Sequence, residues 1–278
     1  MKKFVAALFT VALSAATASA ADLGPRTYSK APAMAPAYDW SGFYVGVNVG
    51  GAWTDSNPTT TTIFSPTGYF AATSPGAIAI AGNQNINRSS FTGGVTAGYN
   101  WQVGGAVVGV ETDFNYLGFK GSSSGTGIYP CCAPTGFTVN TSESADWLWT
   151  LRGRVGFLAT PAFLLYGTGG LAVANVRASY LFTDTFATPA ANESASISTT
   201  RYGWTAGVGG EYALMNGWSV KAEYLYVDLG RASTTSTNLT AFGVAFPTNV
   251  WTHTTNLTSN IGRVGINYKF GGPVVARY

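Results

Sequence analysis

The feature that most constrains this chain is an alternation of period two, repeated in eight runs of roughly ten to fourteen residues, the length that a tilted membrane strand needs. The runs lie at about 42–53, 90–101, 105–118, 146–158, 163–177, 200–213, 217–229 and 260–270. In the second, Phe91, Val95, Ala97, Tyr99 and Trp101 share one face, and Thr92, Thr96, Asn100 and Gln102 share the other. The third sets Val108, Val110, Phe114 and Tyr116 against Glu111, Asp113 and Asn115. The last sets Val264, Ile266, Tyr268 and Phe270 against Arg263, Gly265, Asn267 and Lys269. Such alternation describes strands with one apolar and one polar face. The fifth run is apolar on both faces in its first half, so its pattern does not fix its register.

The connections alternate as well. Those after the first, third, fifth and seventh runs are long and rich in Ser, Thr, Asn, Gly and Pro, as at 54–89 and 231–259. Those after the second, fourth and sixth are tight, at 102–104, 159–162 and 214–216. Short turns on one side and long loops on the other are the pattern of transmembrane barrels. Composition agrees. Charged residues are 10% of the chain, against roughly 25% in an ordinary soluble domain. Aromatics reach 14% and Gly occurs 35 times. A soluble surface with so few charges would be poorly solvated.

Residues 1–20 read as a signal peptide: Lys2 and Lys3, an apolar stretch from Phe4, and Ala18-Ser19-Ala20 as the cleavage site. Residues 21–39, with Pro25, Pro32 and Pro36, read as an extended periplasmic segment. Residues 40–278 are then the barrel domain. The expected fold is all-β: an eight-stranded antiparallel up-and-down transmembrane β-barrel with long extracellular loops and short periplasmic turns. Its apolar faces would meet lipid and its polar faces the lumen.

That orientation assigns the charges. The lumen is expected to hold Glu111, Asp113, Arg152, Arg154, Arg201, Glu211, Lys221, Glu223, Arg263 and Lys269. Glu111 and Asp113 should neighbour Arg152 and Arg154 on the next strand, and the turn at 214–216 should bring Glu211 near Lys221. Unpaired burial is costly, so these charges should pair. They would form either an ion-paired plug or a charged constriction, and eight strands leave an interior that side chains nearly fill. The aromatics are expected in two interfacial girdles. Trp40, Tyr99, Trp101, Trp218, Tyr268 and Phe270 would mark the periplasmic rim, and Trp53, Tyr116, Trp147 and Trp149 the outer rim.

Other chemistry is thin. His253, the one histidine, sits in Trp251-Thr252-His253-Thr254-Thr255 with no acid close in sequence, so it reads as a loop residue rather than a catalytic base. Cys131 and Cys132 are adjacent in a long connection and offer no metal-ligand spacing; oxidation there would give a loop staple or, alternatively, a redox switch. A net charge of +3 with scattered bases leaves no nucleic-acid footprint. No cofactor or metal site is expected.

Three stretches carry a resemblance: Trp40-Ser41-Gly42-Phe43-Tyr44-Val45-Gly46, the run from Trp218-Ser219-Val220-Lys221-Ala222-Glu223-Tyr224 to Gly230, and Asn267-Tyr268-Lys269-Phe270-Gly271-Gly272-Pro273-Val274-Val275-Ala276. Together they resemble the alphaproteobacterial small outer-membrane surface antigens, the porin-family β-barrel proteins. The resemblance implies abundance in the outer membrane, contact with lipopolysaccharide and antigenic loops. The last strand ends at Phe270 with aromatic or apolar residues at alternate positions before it, similar to the signal read by the outer-membrane assembly machinery, which would read either Phe270 or the tail at 273–278. The resemblance implies no agreed molecular activity. The expected function is structural, in envelope integrity and surface interactions, without enzymatic activity and as a monomer. The alternatives are a porin for small hydrophilic solutes, a lipid-A-modifying barrel enzyme and a soluble lipocalin-like carrier.

Overall fold

A computed structural model describes residues 38–271; the expected signal peptide at 1–20, nearly all of the 21–39 segment and the tail after Gly271 lie outside the described residues. The described chain runs β1 (Gly42–Ser56), β2 (Thr59–Thr62), α1 (Ser74–Gly82), β3 (Ile86–Val103), β4 (Ala106–Ile128), β5 (Gly136–Thr160), β6 (Phe163–Asp184), β7 (Asn192–Ala213), β8 (Trp218–Ser236), β9 (Thr240–Ala241), β10 (Val244–Ala245) and β11 (Trp251–Lys269).

The eight long strands, β1, β3 to β8 and β11, each pair antiparallel with their chain neighbours. β1 then pairs with β11 from Tyr44↔Lys269 to Ser56↔Leu257, which closes the ring. A closed ring satisfies every backbone group that would otherwise face hydrocarbon. The tight turns fall where the sequence places them, between β3 and β4, β5 and β6, and β7 and β8.

The wall is inside out relative to a soluble fold. Val47 is 58% exposed while its neighbour Asn48 is 3% exposed. Val95, Val110, Phe114, Val155, Val208 and Val264 are likewise exposed, and Thr96, Glu111, Asp113, Arg154 and Arg263 are buried. β6, whose register the pattern left open, turns Leu164, Tyr166, Ala172, Ala174, Val176 and Tyr180 inward.

The long connections differ from expectation. Much of each is strand. β4 has 23 residues and β5 has 25, so both continue well past the outer aromatic rim and leave only 129–135 between them. β6 and β7 likewise leave 185–191. Ser/Thr-rich sequence reads as loop because its polar outer face resembles a turn segment, yet above the bilayer a strand is polar outside and still pairs. The connection after β1 does carry extra structure: α1 packs on β2, β4 and β5, and β2 pairs with the upper part of β11, Thr59↔Thr254 to Thr62↔Trp251.

Candidate functional site

The inward side chains lie in layers, and the same order reads up β4 and β6 or down β5 and β11. At the periplasmic mouth Trp40 packs with Val107, Leu164, Tyr166 and Ala213. Its indole donates to Pro161 O at 3.3 Å, and its backbone N–H donates to Gln102 Oε1 at 2.8 Å. Trp40 is 2% exposed, so it is a floor residue and not part of a girdle. It precedes β1, and the chain there turns inward instead of continuing along the wall. Lys269 also stays out of the charged belt. Its ammonium donates to Ser41 O at 3.2 Å and to Asp39 O, beside the Tyr38 ring.

Above the floor lies the ionic belt. Arg152 Nη2 donates to Glu111 Oε1 at 2.5 Å and to Asp113 Oδ2 at 2.7 Å, and Nη1 donates to Glu223 Oε1 at 3.0 Å. Arg263 Nη1 donates to Asp113 Oδ1 at 2.9 Å, and Nη2 to Glu223 Oε2 at 2.5 Å. Arg154 pairs with Glu211 and lies over the Tyr166 ring, 3.8 Å from its centroid. Lys221 sits opposite Glu211 in the ladder, as the turn implied, yet its Nζ crosses the lumen to Glu111 Oε2 at 2.8 Å. Glu211 instead accepts from Ser219 at 2.5 Å and from Asn267 at 2.8 Å. The belt therefore joins four carboxylates to four cations, all buried. Two tyrosines complete it: Tyr44 donates to Glu111 Oε2 at 2.7 Å, and Tyr166 donates to Glu223 Oε1 at 3.2 Å.

Arg201 does not join the belt. It lies above the belt, opposite Ala174 of β6, on a stretch where β7 and β8 have parted, since their ladder stops at Trp204↔Asp228. Its guanidinium donates to Leu229 O at 3.4 Å and to Arg231 O, bridging strands that no backbone ladder joins.

Above the belt Leu117, Phe119, Leu148, Leu225, Leu257 and Ile261 form a buried apolar layer. A second polar layer follows. His253 is fully buried, with Nδ1 hydrogen-bonded to Thr60 Oγ1 at 3.0 Å and Nε2 to Glu193 Oε1 at 3.2 Å. Its ring stacks on Tyr180. The expectation of a loop histidine without an acid is thus overturned: β7 supplies an acid 60 residues away, which local sequence does not reveal. The hydroxyl–imidazole–carboxylate order resembles a nucleophile relay, but Thr60 and Glu193 are as enclosed as the imidazole. Nearby, Thr255 donates to Glu143 Oε1 at 2.5 Å. Burial holds the Glu143 carboxyl above its usual range, opposed by hydrogen bonds from Ser56 and Thr255.

The top is roofed by Phe70, Ile78, Phe137, Phe182 and Trp251. Asp184 ties the roof down, accepting from Tyr69 at 2.6 Å, Tyr129 at 3.0 Å and the Ala191 N–H at 3.1 Å. Burial and this carboxylate raise both phenols well above the usual tyrosine range. Cys131 and Cys132 are joined by a disulfide in the 129–135 turn.

The remaining rim aromatics face outward. Tyr99, Trp101, Trp218 and Phe270 are exposed at the periplasmic end, with Tyr268 half-buried beside Trp218 and Phe270. Trp53 and Tyr116 are exposed at the outer end, with Trp147 and Trp149 half-buried. The roles of Tyr44 and Tyr166, and the upper layer of Glu143, Glu193 and His253, escape a reading of charge alone. The inward parity of Tyr44 with Asn48 on β1 is the signal that could have found the first.

A closed eight-stranded ring with a lipid-facing exterior, a polar interior and two aromatic rims defines a small outer-membrane β-barrel. The chain belongs to the family described as outer membrane protein beta-barrel domain, whose model matches residues 5–270. It is 34% identical to the 31 kDa outer-membrane immunogenic protein of Brucella melitensis over 268 residues, 93% of this chain and 96% of that one. It is 36% identical to a 22 kDa outer membrane protein of Rhizobium leguminosarum bv. viciae over 138 residues, 50% of this chain and 52% of the relative. The crystal structure of Neisserial surface protein A aligns with 83% of this chain and 98% of its own, at 15% identity and a TM-score of 0.35. The protein resides in the outer membrane.

Proposed function

We infer that this protein is a sealed structural barrel: it stiffens the outer membrane as a monomer, excludes solutes from its lumen, and presents its extracellular hairpins to the surroundings. The observation that carries the reading is the belt of four carboxylates and four cations spanning the mid-lumen, with the buried apolar layer above it. Each belt charge already has a partner, so none is left to attract a passing ion. Eight strands also leave little interior beyond what side chains occupy, whereas open channels need about sixteen. The Brucella relative is named an immunogenic protein, which supports surface presentation here. Membrane lipid on the outer wall is the standing partner, and the assembly machinery reads the C-terminal end of the chain, at Phe270 or in the tail that follows it. The burial of Thr60, His253 and Glu193 supports a packing role for that relay, without catalysis.

Planar-bilayer recording on refolded protein tests this. The expected result is no steady conductance. Steady steps whose size changes in Arg152→Gln or Glu111→Gln would establish a porin instead. For the relay, His253→Ala should leave the lipid A profile of expressing cells unchanged.

A further inference from the structure

The upper wall of the barrel parts in two places. The β3–β4 ladder stops at Gly93↔Tyr116 and the β7–β8 ladder at Trp204↔Asp228, although all four strands run on. In each case a glycine with positive φ lies just beyond the last pair, Gly118 on β4 at +59° and Gly230 on β8 at +66°, and its strand bends away. The chain fills the first gap itself. The Ile86 side chain of β3 takes the space that a Gly121 Cβ would need on β4, α1 brings Ala81 O against Gly125, and Gln84 donates to Val139 O at 2.8 Å behind them. Across the second gap, among the described residues, no backbone ladder joins 193–203 to 229–236. The links there are side chains: Arg201 in the middle, and at the top Asn238 to Ser194 O at 2.7 Å and Ser236 to Glu193.

Two strand edges therefore face each other. Asn192 pairs with Thr240, and Ser194 O accepts from Asn238, so the even-numbered residues of β7 turn their backbone groups toward β8. Ser196, Ser198 and Thr200 share that parity and are exposed. From β8 the Arg231 carbonyl points back across the gap, and Ser233 and Thr235 follow it by parity, exposed as well. A ladder holds strands about 4.8 Å apart, whereas here a whole arginine side chain lies between them. Arg201 has inward register and is half-buried in the gap. Its guanidinium donates to Leu229 O at 3.4 Å and to Arg231 O, the acceptors that a neighbouring strand would take. Ile197 and Ala232 form an apolar floor. Trp204 and Tyr226, their rings 5.3 Å apart at the foot of the gap, mark the headgroup level, so the gap lies in water.

Unpaired edges accept another strand, and main-chain bonds to such an edge are a recurring mode of peptide capture. Charge selects among peptides. Arg201 and Arg231 stand against Asp228 alone, whose carboxylate accepts from the Gly230 N–H at 2.8 Å, because Glu193 is turned into the barrel. We propose that the gap between β7 and β8 docks an extended acidic segment of a partner polypeptide. The segment adds as a strand along 194–200 and 231–235, takes the Leu229 and Arg231 carbonyls from Arg201, and gives the freed guanidinium a carboxylate. The site gives the surface presentation inferred above a partner class. It lies outside the lumen, so a conducting barrel would leave it standing, and a failed peptide assay would leave the sealed lumen standing.

The test uses the full mature protein in phosphatidylcholine nanodiscs and a fluorescein-labelled heptapeptide that alternates valine with threonine and glutamate. Anisotropy should report saturable binding, and amide exchange at 194–200 and 231–235 should slow when the peptide is bound. The same peptide N-methylated at alternate residues loses its donors to one edge and should bind at least about tenfold more weakly. Ser196→Pro removes a backbone donor from the β7 edge, a position where proline is tolerated, and should weaken binding as much. Ser233→Pro should do the same from β8, and heat-modifiable mobility shows that each variant is folded. Arg231→Gln should bind about fivefold more weakly, and Arg88→Gln, an exposed cation elsewhere, should match wild type. No binding by wild type, or equal binding of the peptide and its N-methylated form, overturns the site. Equal binding of a peptide with lysine in place of glutamate overturns the acidic assignment. Exchange at 194–200 that slows with rising protein concentration in the absence of peptide assigns the gap to a second copy of this chain and overturns the partner.

Discussion

Lys221 reaches past Glu211, its partner in the β7–β8 ladder, and bonds Glu111 on β4 across the lumen at 2.8 Å. The belt therefore braces opposite walls as well as joining neighbouring strands, where Glu111 pairs with Arg152 and Glu223 with Arg263. Removing one partner of a buried pair leaves the other charge uncompensated, so Lys221→Met should lower stability by about 3–5 kcal/mol. Urea unfolding in detergent micelles, followed by the heat-modifiable band, measures it. The double variant Glu111→Gln/Lys221→Met should cost less than the sum of the two single changes, because the pair is coupled.

Glycine at two inward positions makes room for the belt tyrosines. A Cβ at Gly98 would stand 2.5 Å from the Tyr44 ring, and one at Gly209 would stand 2.5 Å from the Tyr166 hydroxyl. Gly98→Ala and Gly209→Ala should each destabilise by about 1–3 kcal/mol through overpacking. Gly105→Ala, in a turn where a Cβ would meet nothing within 4 Å, should be near neutral in the same urea titration.

The Glu143 carboxyl titrates above its ordinary value because it is buried. The folded barrel therefore keeps a proton at a pH where the unfolded chain has released it. This contribution to stability is complete below the ordinary glutamate range and is lost as the pH rises through the raised value. The extracellular ends of β5 and β11 should exchange amide hydrogen more slowly near pH 5 than near pH 8, after correction for intrinsic exchange, and Glu143→Gln should flatten that difference.

Arg201 joins β7 to β8 where their ladder has stopped. Arg201→Ala removes the bridge but no lumen charge pair. Amide exchange should then rise at 229–236 and 193–203, while the belt strands stay protected and the urea midpoint shifts little.

Much of this fold was legible because the period of two is a physical constraint that the bilayer enforces on every spanning strand. Glu111, Asp113, Arg152 and Arg154 could be placed together from strand order alone. Lys221 could not, because which wall a long side chain chooses depends on the distance across the lumen. Trp40 stands at a strand entry that looks interfacial in sequence, whereas the inward turn of the chain that buries it is a tertiary event. His253 and Glu193 are 60 residues apart and meet only because β7 and β11 continue beyond the membrane, where Ser and Thr disguise strand as loop.

In the assembled barrel the aliphatic side of each strand touches acyl chains. Nitroxide labels at Ala97, Val108 and Val264 in reconstituted vesicles test that directly. The expected outcome is high accessibility to molecular oxygen and low accessibility to a water-soluble nickel complex at all three sites. Free collision with the nickel complex at these positions would contradict it.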